Sequence, residues 1–339
     1  MYKQNSFITR YCLAVVVMLA LLGPLAGVGR GNFVLWDDQQ LTVNSSHSTG
    51  VLYDTSRAFI VTGGSVNYLY ANNSSTVDIT DGSVSNLYAY NSSDVNITGG
   101  SLYYLSALDY STVDISGGYV GDLYAYNSSD VNITSGSVSY LYANNSSTVD
   151  ISGGSLYYLI VYNSSDVNIS GGSLSSLSAL DYSTVDISGG SVSSLDAYSS
   201  STVNISGGSL SSLIVYNSSD VNISGGSLDY VYAYDSSVVT LYGQNFRVGG
   251  GLAFDGERLV GTGFLIGEWM DGTGWVMNIL ANASTATILA IPESAHKPFC
   301  AKYPRMDFNG DCKVDFADFA IMASSWLECN LVPQSTCWE

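Results

Sequence analysis

The residues best placed to do chemistry stand near the end of the 339-residue chain, in Asp307-Phe-Asn-Gly-Asp-Cys-Lys-Val-Asp-Phe-Ala-Asp318. Oxygen side chains fall at loop positions 1, 3, 5, 9 and 12: Asp307, Asn309, Asp311, Asp315 and Asp318. Position 7, Lys313, can offer its backbone carbonyl. Hard oxygen ligands at this spacing fold around one hard cation, so the segment predicts a Ca2+ loop. Val314 supplies the apolar anchor between ligands. A helix is expected to follow, because Phe316, Phe319, Ala320, Ala323, Trp326 and Leu327 share one face at helical spacing. Cys300, Cys312, Cys329 and Cys337 surround the loop. Four cysteines in an exported tail predict two disulfides with three pairings open, and no histidine is interleaved to make a zinc site.

This tail, about 25 residues of it, resembles a type I dockerin repeat. In that family a calcium loop and helix dock exported bacterial proteins onto cohesin partners. The resemblance implies that Asp307, Asn309, Asp311, Lys313, Asp315 and Asp318 hold Ca2+, and that a cohesin-like protein or a cell-envelope component receives the tail. Dockerins carry two such repeats and this chain carries one. Gly310 sits at loop position 4, while position 6, where such loops prefer Gly, is Cys312.

The rest of the chain is organised by one period. Valine recurs at Val77, Val95, Val113, Val131, Val149, Val167, Val185, Val203, Val221 and Val239, each 18 residues after the last. Phe59 extends the series one step back and Leu41 begins it. Register held without insertion demands a stacked, solenoid architecture. Within a unit, Val113 and Ile115 flank Asp114, and Leu123 and Ala125 oppose Tyr124 and Tyr126. Such period-two patterning means strands, separated by Gly-Gly and Asn-Ser-Ser turns. The expected fold is all-β: a parallel β-solenoid of 18-residue coils, a small β cap, and the short calcium-loop/helix module. A triangular β-helix of hexapeptides fits in part, since 18 residues make three such units, but Ser often stands where it wants an aliphatic residue. The units, as in Val-Asn-Ile-Ser-Gly-Gly-Ser, also resemble passenger repeats of autotransporter adhesins, which implies an exported adhesive rod.

The organisation expected is a signal peptide over 1–29, an N-terminal cap over 30–57, repeats over 58–246, a β-rich cap over 247–291, a linker over 292–298 and the calcium tail over 299–339. Lys3 and Arg10 precede the apolar run Tyr11 to Leu22, which is too short to span a bilayer and reads as an export signal cleaved between Ala26 and Arg30. The mature chain is then expected to be secreted or surface-bound, with no membrane span. In the cap, Asp271-Gly272 predicts a hairpin turn.

Charge narrows the partners. The chain carries 29 acids against 10 Lys and Arg, a formal net charge of −19. From Ala58 to Phe246 it has no Lys, Arg or His at all. Such a surface cannot neutralise phosphates, so nucleic acid is excluded as a partner. From Val77 to Val185 a carboxylate follows or precedes the valine in alternation: Asp78, Asp94, Asp114, Asp130, Asp150, Asp166, Asp186. Acids in one column are thereby two coils, about 10 Å, apart, and repulsion is eased. Asp81, Asp122, Asp196 and Asp229 are the off-pattern acids, scattered and without a basic partner. No catalytic residue is therefore assigned, and the rival reading is a polysaccharide hydrolase or lyase. Two tyrosine columns, Tyr70, Tyr88, Tyr124, Tyr142, Tyr232 and Tyr90, Tyr126, Tyr162, Tyr198, Tyr216, Tyr234, predict an exposed aromatic stripe able to take a polysaccharide.

Overall fold

The computed structural model describes residues 31–281 and 286–292. The expected signal peptide, the linker beyond residue 292, the four tail cysteines and the calcium loop lie outside the described residues. Those described are β-strand and turn throughout, with no helix among them. They form a parallel β-solenoid of about twelve coils, each of about 18 residues. At about 4.8 Å per coil the rod is roughly 55–60 Å long.

Each coil contributes a short strand and a long one, typified by Thr148–Ile151 and Ser155–Val161. The short strands stack on one another in register, Val149 on Val167 and Asp150 on Asn168. The long strands do likewise, Leu159 on Leu177 and Val161 on Ala179. Alternation drives this arrangement. Val149, Ile151, Leu159 and Val161 are fully or almost fully buried, and so are their counterparts from coil to coil. Five aliphatic columns thus make one continuous core, which a single unit could never bury alone.

The long strand does not alternate strictly. Leu156 and Leu159 both point inward, and Tyr157 and Tyr158 between them are both solvent-facing. This local bulge recurs in each coil and bends the long strand. It explains why strict hexapeptide periodicity fits only in part.

Two corners close each coil. At one, a pair of residues adopts left-handed backbone, as in Asn127 (φ 53°) and Ser128 (φ 60°). Asn tolerates that region better than most residues, and the side-chain amides stack: Asn145 Nδ2 donates to Asn127 Oδ1 at 3.3 Å, and Asn127 Nδ2 to Asp109 Oδ1 at 3.0 Å. The next residue is a serine with no exposed surface, at Ser93, Ser111, Ser129, Ser147, Ser165 and onward. The Asn-Ser-Ser triplets are therefore turns whose last serine belongs to the interior. At the other corner sits Gly-Gly. Gly172 has φ +80°, and a Cβ on Gly171 would stand 2.2 Å from the Ser152 carbonyl oxygen one coil back. The first glycine is needed for close stacking and the second for its backbone.

Residues 31–57, expected to cap this end of the rod, pair in parallel as coils of the stack. Gly31–Leu35 pairs in parallel with Ser46–Leu52, and Gln40–Val43 with Arg57–Ile60. Leu41 does begin the valine series, opposite Ala58, but Phe59 does not continue it. Ala58 pairs with Val77 and is fully buried, while Phe59 pairs with Asp78 and lies only partly buried. One extra residue between Ile60 and Ser65 shifts the count by one. Phe59 faces outward beneath the Arg57 guanidinium, 4.8 Å from its ring centre.

At the far end Val238–Gly250 starts as a normal coil and then departs. Its second half pairs antiparallel with Thr262–Glu268, which pairs antiparallel with Gly274–Ala281 across the Asp271-Gly272 turn. The chain then rejoins the stack: Asn278–Ala281 pairs in parallel with Tyr230–Ala233, and Thr287–Pro292 with Val238–Gly243. Arg258 and Leu259 pair antiparallel with the last strand and cover its edge, and Trp269 donates its indole N–H to the Gly226 carbonyl at 2.7 Å.

Candidate functional site

The stack brings two distinct polar surfaces into register. The short strands carry the alternating acids. Their alternation does more than separate charge, because four asparagines donate their amides to the aspartate one coil back, and Asn222 donates to Asn204. Asn96 reaches Asp78 at 3.1 Å, Asn132 reaches Asp114 at 2.8 Å, and Asn168 and Asn204 reach Asp150 and Asp186 at 2.7 Å. Asp94, diagonal to Asp114, has its pKa raised, first by desolvation and then by that neighbouring charge; Thr112 partly offsets this by hydrogen bonding. At the head of the column Asp78 is almost buried and is held by Arg57, whose Nη2 donates to Oδ1 at 2.9 Å while Nε donates to Oδ2. The two side chains form an ion pair.

The long strands carry the tyrosines. Tyr70, Tyr88, Tyr124 and Tyr142 occupy one column as expected, but Ser106 interrupts it. Tyr104, from the adjacent column, fills the gap. Centroid separations along Tyr70, Tyr88, Tyr104, Tyr124 and Tyr142 are 5.2, 5.6, 5.3 and 4.6 Å. Farther along, Tyr198, Tyr216 and Tyr234 stack at 4.8 and 4.9 Å. All these rings are half-buried. The pKa values of Tyr70, Tyr90, Tyr124, Tyr162, Tyr198 and Tyr216 are raised, primarily by desolvation and secondarily by neighbouring phenols or acids.

The stripe differs from the expected one in a way that matters chemically. Tyr70 and Tyr88, Tyr124 and Tyr142, and Tyr198, Tyr216 and Tyr234 present faces to each other, while Tyr104 is tilted between its neighbours. The more exposed rings stand outside the two expected columns. They are Tyr68, Tyr140 and Tyr230 in the column next to them, Tyr103 and Tyr157 at the bulge, Tyr119, and Tyr110 and Tyr182 on the turn ridge. The signal that could have found them is the paired outward positions of the Leu-Tyr-Tyr-Leu runs. Tyr110 and Tyr182 adopt φ 65° and 63°, a strained backbone for a bulky side chain.

The off-pattern acids do not converge. Asp81 is exposed beside an open groove of about 400 Å3 floored by Gly63, Gly64, Gly82 and Gly100, and accepts a 2.6 Å hydrogen bond from the Thr62 hydroxyl. Asp122 stands between Tyr104 and Tyr140 in its column. Asp196 lies between Ser178 and Ile214, four coils or about 19 Å farther on. Burial raises its pKa, and its Oδ1 is enclosed without a hydrogen-bond partner. Asp229 is exposed beyond it. Glycosidic chemistry needs carboxyl groups roughly 5–9.5 Å apart. Among the described residues, no group of three or more His, Cys, Asp or Glu is placed to hold a metal ion. The expected ligands Asp307, Asn309, Asp311, Lys313, Asp315 and Asp318 lie outside the described residues.

Fold and surfaces together define a parallel β-solenoid protein with one acid–amide face and one tyrosine face. No family model, curated protein or solved structure matches the chain.

Proposed function

We propose that the chain is an exported, non-catalytic surface protein whose solenoid presents its tyrosine face to glycan, with a calcium-binding tail for attachment. The observation that carries the binding role is the tyrosine surface itself. Phenol hydroxyls repeat along the rod, their pKa values are pushed up rather than down, and eight further tyrosines protrude beyond the ladders. Clustered exposed aromatics of this extent mark contact surfaces. The acids support the non-catalytic part. They repeat in almost every coil, Asp78, Asp114, Asp150 and Asp186 are engaged by asparagine amides, and Asp196, whose pKa burial raises, faces a serine and an isoleucine.

Attachment rests on the tail. Asp307, Asn309, Asp311, Asp315 and Asp318 with the Lys313 carbonyl would form an oxygen cage for Ca2+, which a cohesin-like protein or cell-envelope component would receive. Calorimetric titration of the whole chain with Ca2+ tests this: a saturable heat is expected, lost in an Asp307→Ala/Asp311→Ala variant. No heat, or heat unchanged in the variant, removes the calcium assignment. Depletion of the chain by insoluble polysaccharides tests the face.

A further inference from the structure

Stacked tyrosines cannot hold a sugar ring on faces they share with each other. A pyranose binds an aromatic ring through axial C–H groups, which are drawn to the negative face of the π-system. A glycan on this rod therefore needs tyrosines that stand out of the ladders.

Tyr157 is such a residue. It occupies the outward bulge of the strand Ser155–Val161 and is 53% exposed. Tyr140 and Tyr158 stack on each other at 5.3 Å and 13°. The Tyr157 ring stands across them, at 76° to Tyr158 and 89° to Tyr140, so it shares no stacked face with either. Three coils earlier the same bulge position is Tyr103, 70% exposed. The two coils between carry Gly121 and Ser139 there, and the Tyr119 phenol reaches into that path, its hydroxyl meeting Ser139 Oγ at 2.9 Å. Asp122 holds the neighbouring column.

We propose that Tyr103 and Tyr157 are two carbohydrate subsites, about 14 Å apart, that stack pyranose units of one uncharged glycan lying along the solenoid axis. This rests on the glycan-binding reading above and names its subsites. The path between the rings offers hydroxyls and one carboxylate, all suited to sugar hydroxyls. A uronate or sulfated chain would meet Asp122 with no cation to offset it, since the solenoid supplies none from Ala58 to Phe246. A polycation would be drawn to the acid face on the short strands, and its binding would not depend on these two rings.

The test is affinity electrophoresis of the intact chain through gels containing galactomannan, xyloglucan, mixed-linkage β-glucan or polygalacturonate. At least one uncharged glycan should retard the protein, and polygalacturonate should not. Tyr103→Ala and Tyr157→Ala should each weaken retardation about fivefold, as befits loss of one aromatic stacking contact, and the double variant more. Tyr157→Phe, which keeps the ring face, should bind like the parent, as should Asp130→Asn, which changes an exposed residue on the acid–amide face. Far-UV circular dichroism shows whether each variant is folded. Retardation by an uncharged glycan that survives in the folded double variant, or equal loss in Asp130→Asn, overturns the subsites. Preferential retardation by polygalacturonate overturns the ligand class. Retardation by none of the four overturns both readings.

Discussion

Replacing Asn168 by aspartate tests the acid–amide face at its centre. Asn168 donates its amide to Asp150 at 2.7 Å, and on its other side it pairs in register with Asp186. Asn168→Asp would place three carboxylates in consecutive coils. The lost hydrogen bond to a charged acceptor is worth about 1.5 kcal/mol at the low end of its range, fitting for an exposed site. Two new like-charge contacts at about 4.8 Å add up to ~0.9 kcal/mol each in a water-like dielectric, less with screening. A loss of about 2–3 kcal/mol is expected at pH 7 and low salt. Asn168→Ala, which forfeits the bond without adding charge, should lose about half as much. Wedged between two acids, the new carboxyl holds its proton to higher pH than in the unfolded chain. Its penalty is therefore full at neutral pH and fades as pH falls through the carboxylate range, where a protonated carboxyl can also donate as the amide did. Urea denaturation followed by circular dichroism, at pH 7 and pH 3.5 and with added salt, measures this. Equal stability of Asn168→Asp and Asn168→Ala at pH 7, or a deficit unchanged at pH 3.5, would refute the reasoning.

Two further outcomes follow from the tyrosines. Tyr110→Asn puts a residue at ease with left-handed backbone where a tyrosine now sits at φ 65°, and should raise stability by about 1 kcal/mol in the same denaturation assay. The ladder phenols have raised pKa values, so their stability contribution is intact below the ordinary phenol value of about 10 and is lost as pH climbs through the folded values. Absorbance titration at the phenolate band should show these rings ionising late, with alkaline unfolding accompanying them.

Much of this molecule was legible in its residues, for a physical reason. A solenoid repeats one local rule, so the 18-residue valine series, the Val-Asp-Ile and Leu-Tyr-Ala alternation and the Gly-Gly and Asn-Ser-Ser corners each reveal strand, core and turn. The errors came where the rule bends. Phe59 looks like the next valine-series residue, but the extra residue between Ile60 and Ser65 puts Ala58 in the core. Residues 31–57 lack the repeat motif yet stack as coils, because backbone pairing tolerates sequences that keep only alternation. Strict alternation also hid the bulge that turns Tyr157 and Tyr158 outward together. For the acids, the sequence showed the spacing of charge, whereas the amide donors became visible only when columns were set side by side. The stacking that turns tyrosine faces away from solvent depends on side-chain rotation, which no spacing encodes.

We propose that this rod binds glycan and does not cleave it. The most direct measurement incubates the intact protein with insoluble uncharged polysaccharides and follows both protein depletion and soluble reducing ends. Saturable depletion is expected, with no reducing ends released above the protein-free blank. Release of reducing ends, or absence of depletion across the panel, would contradict it.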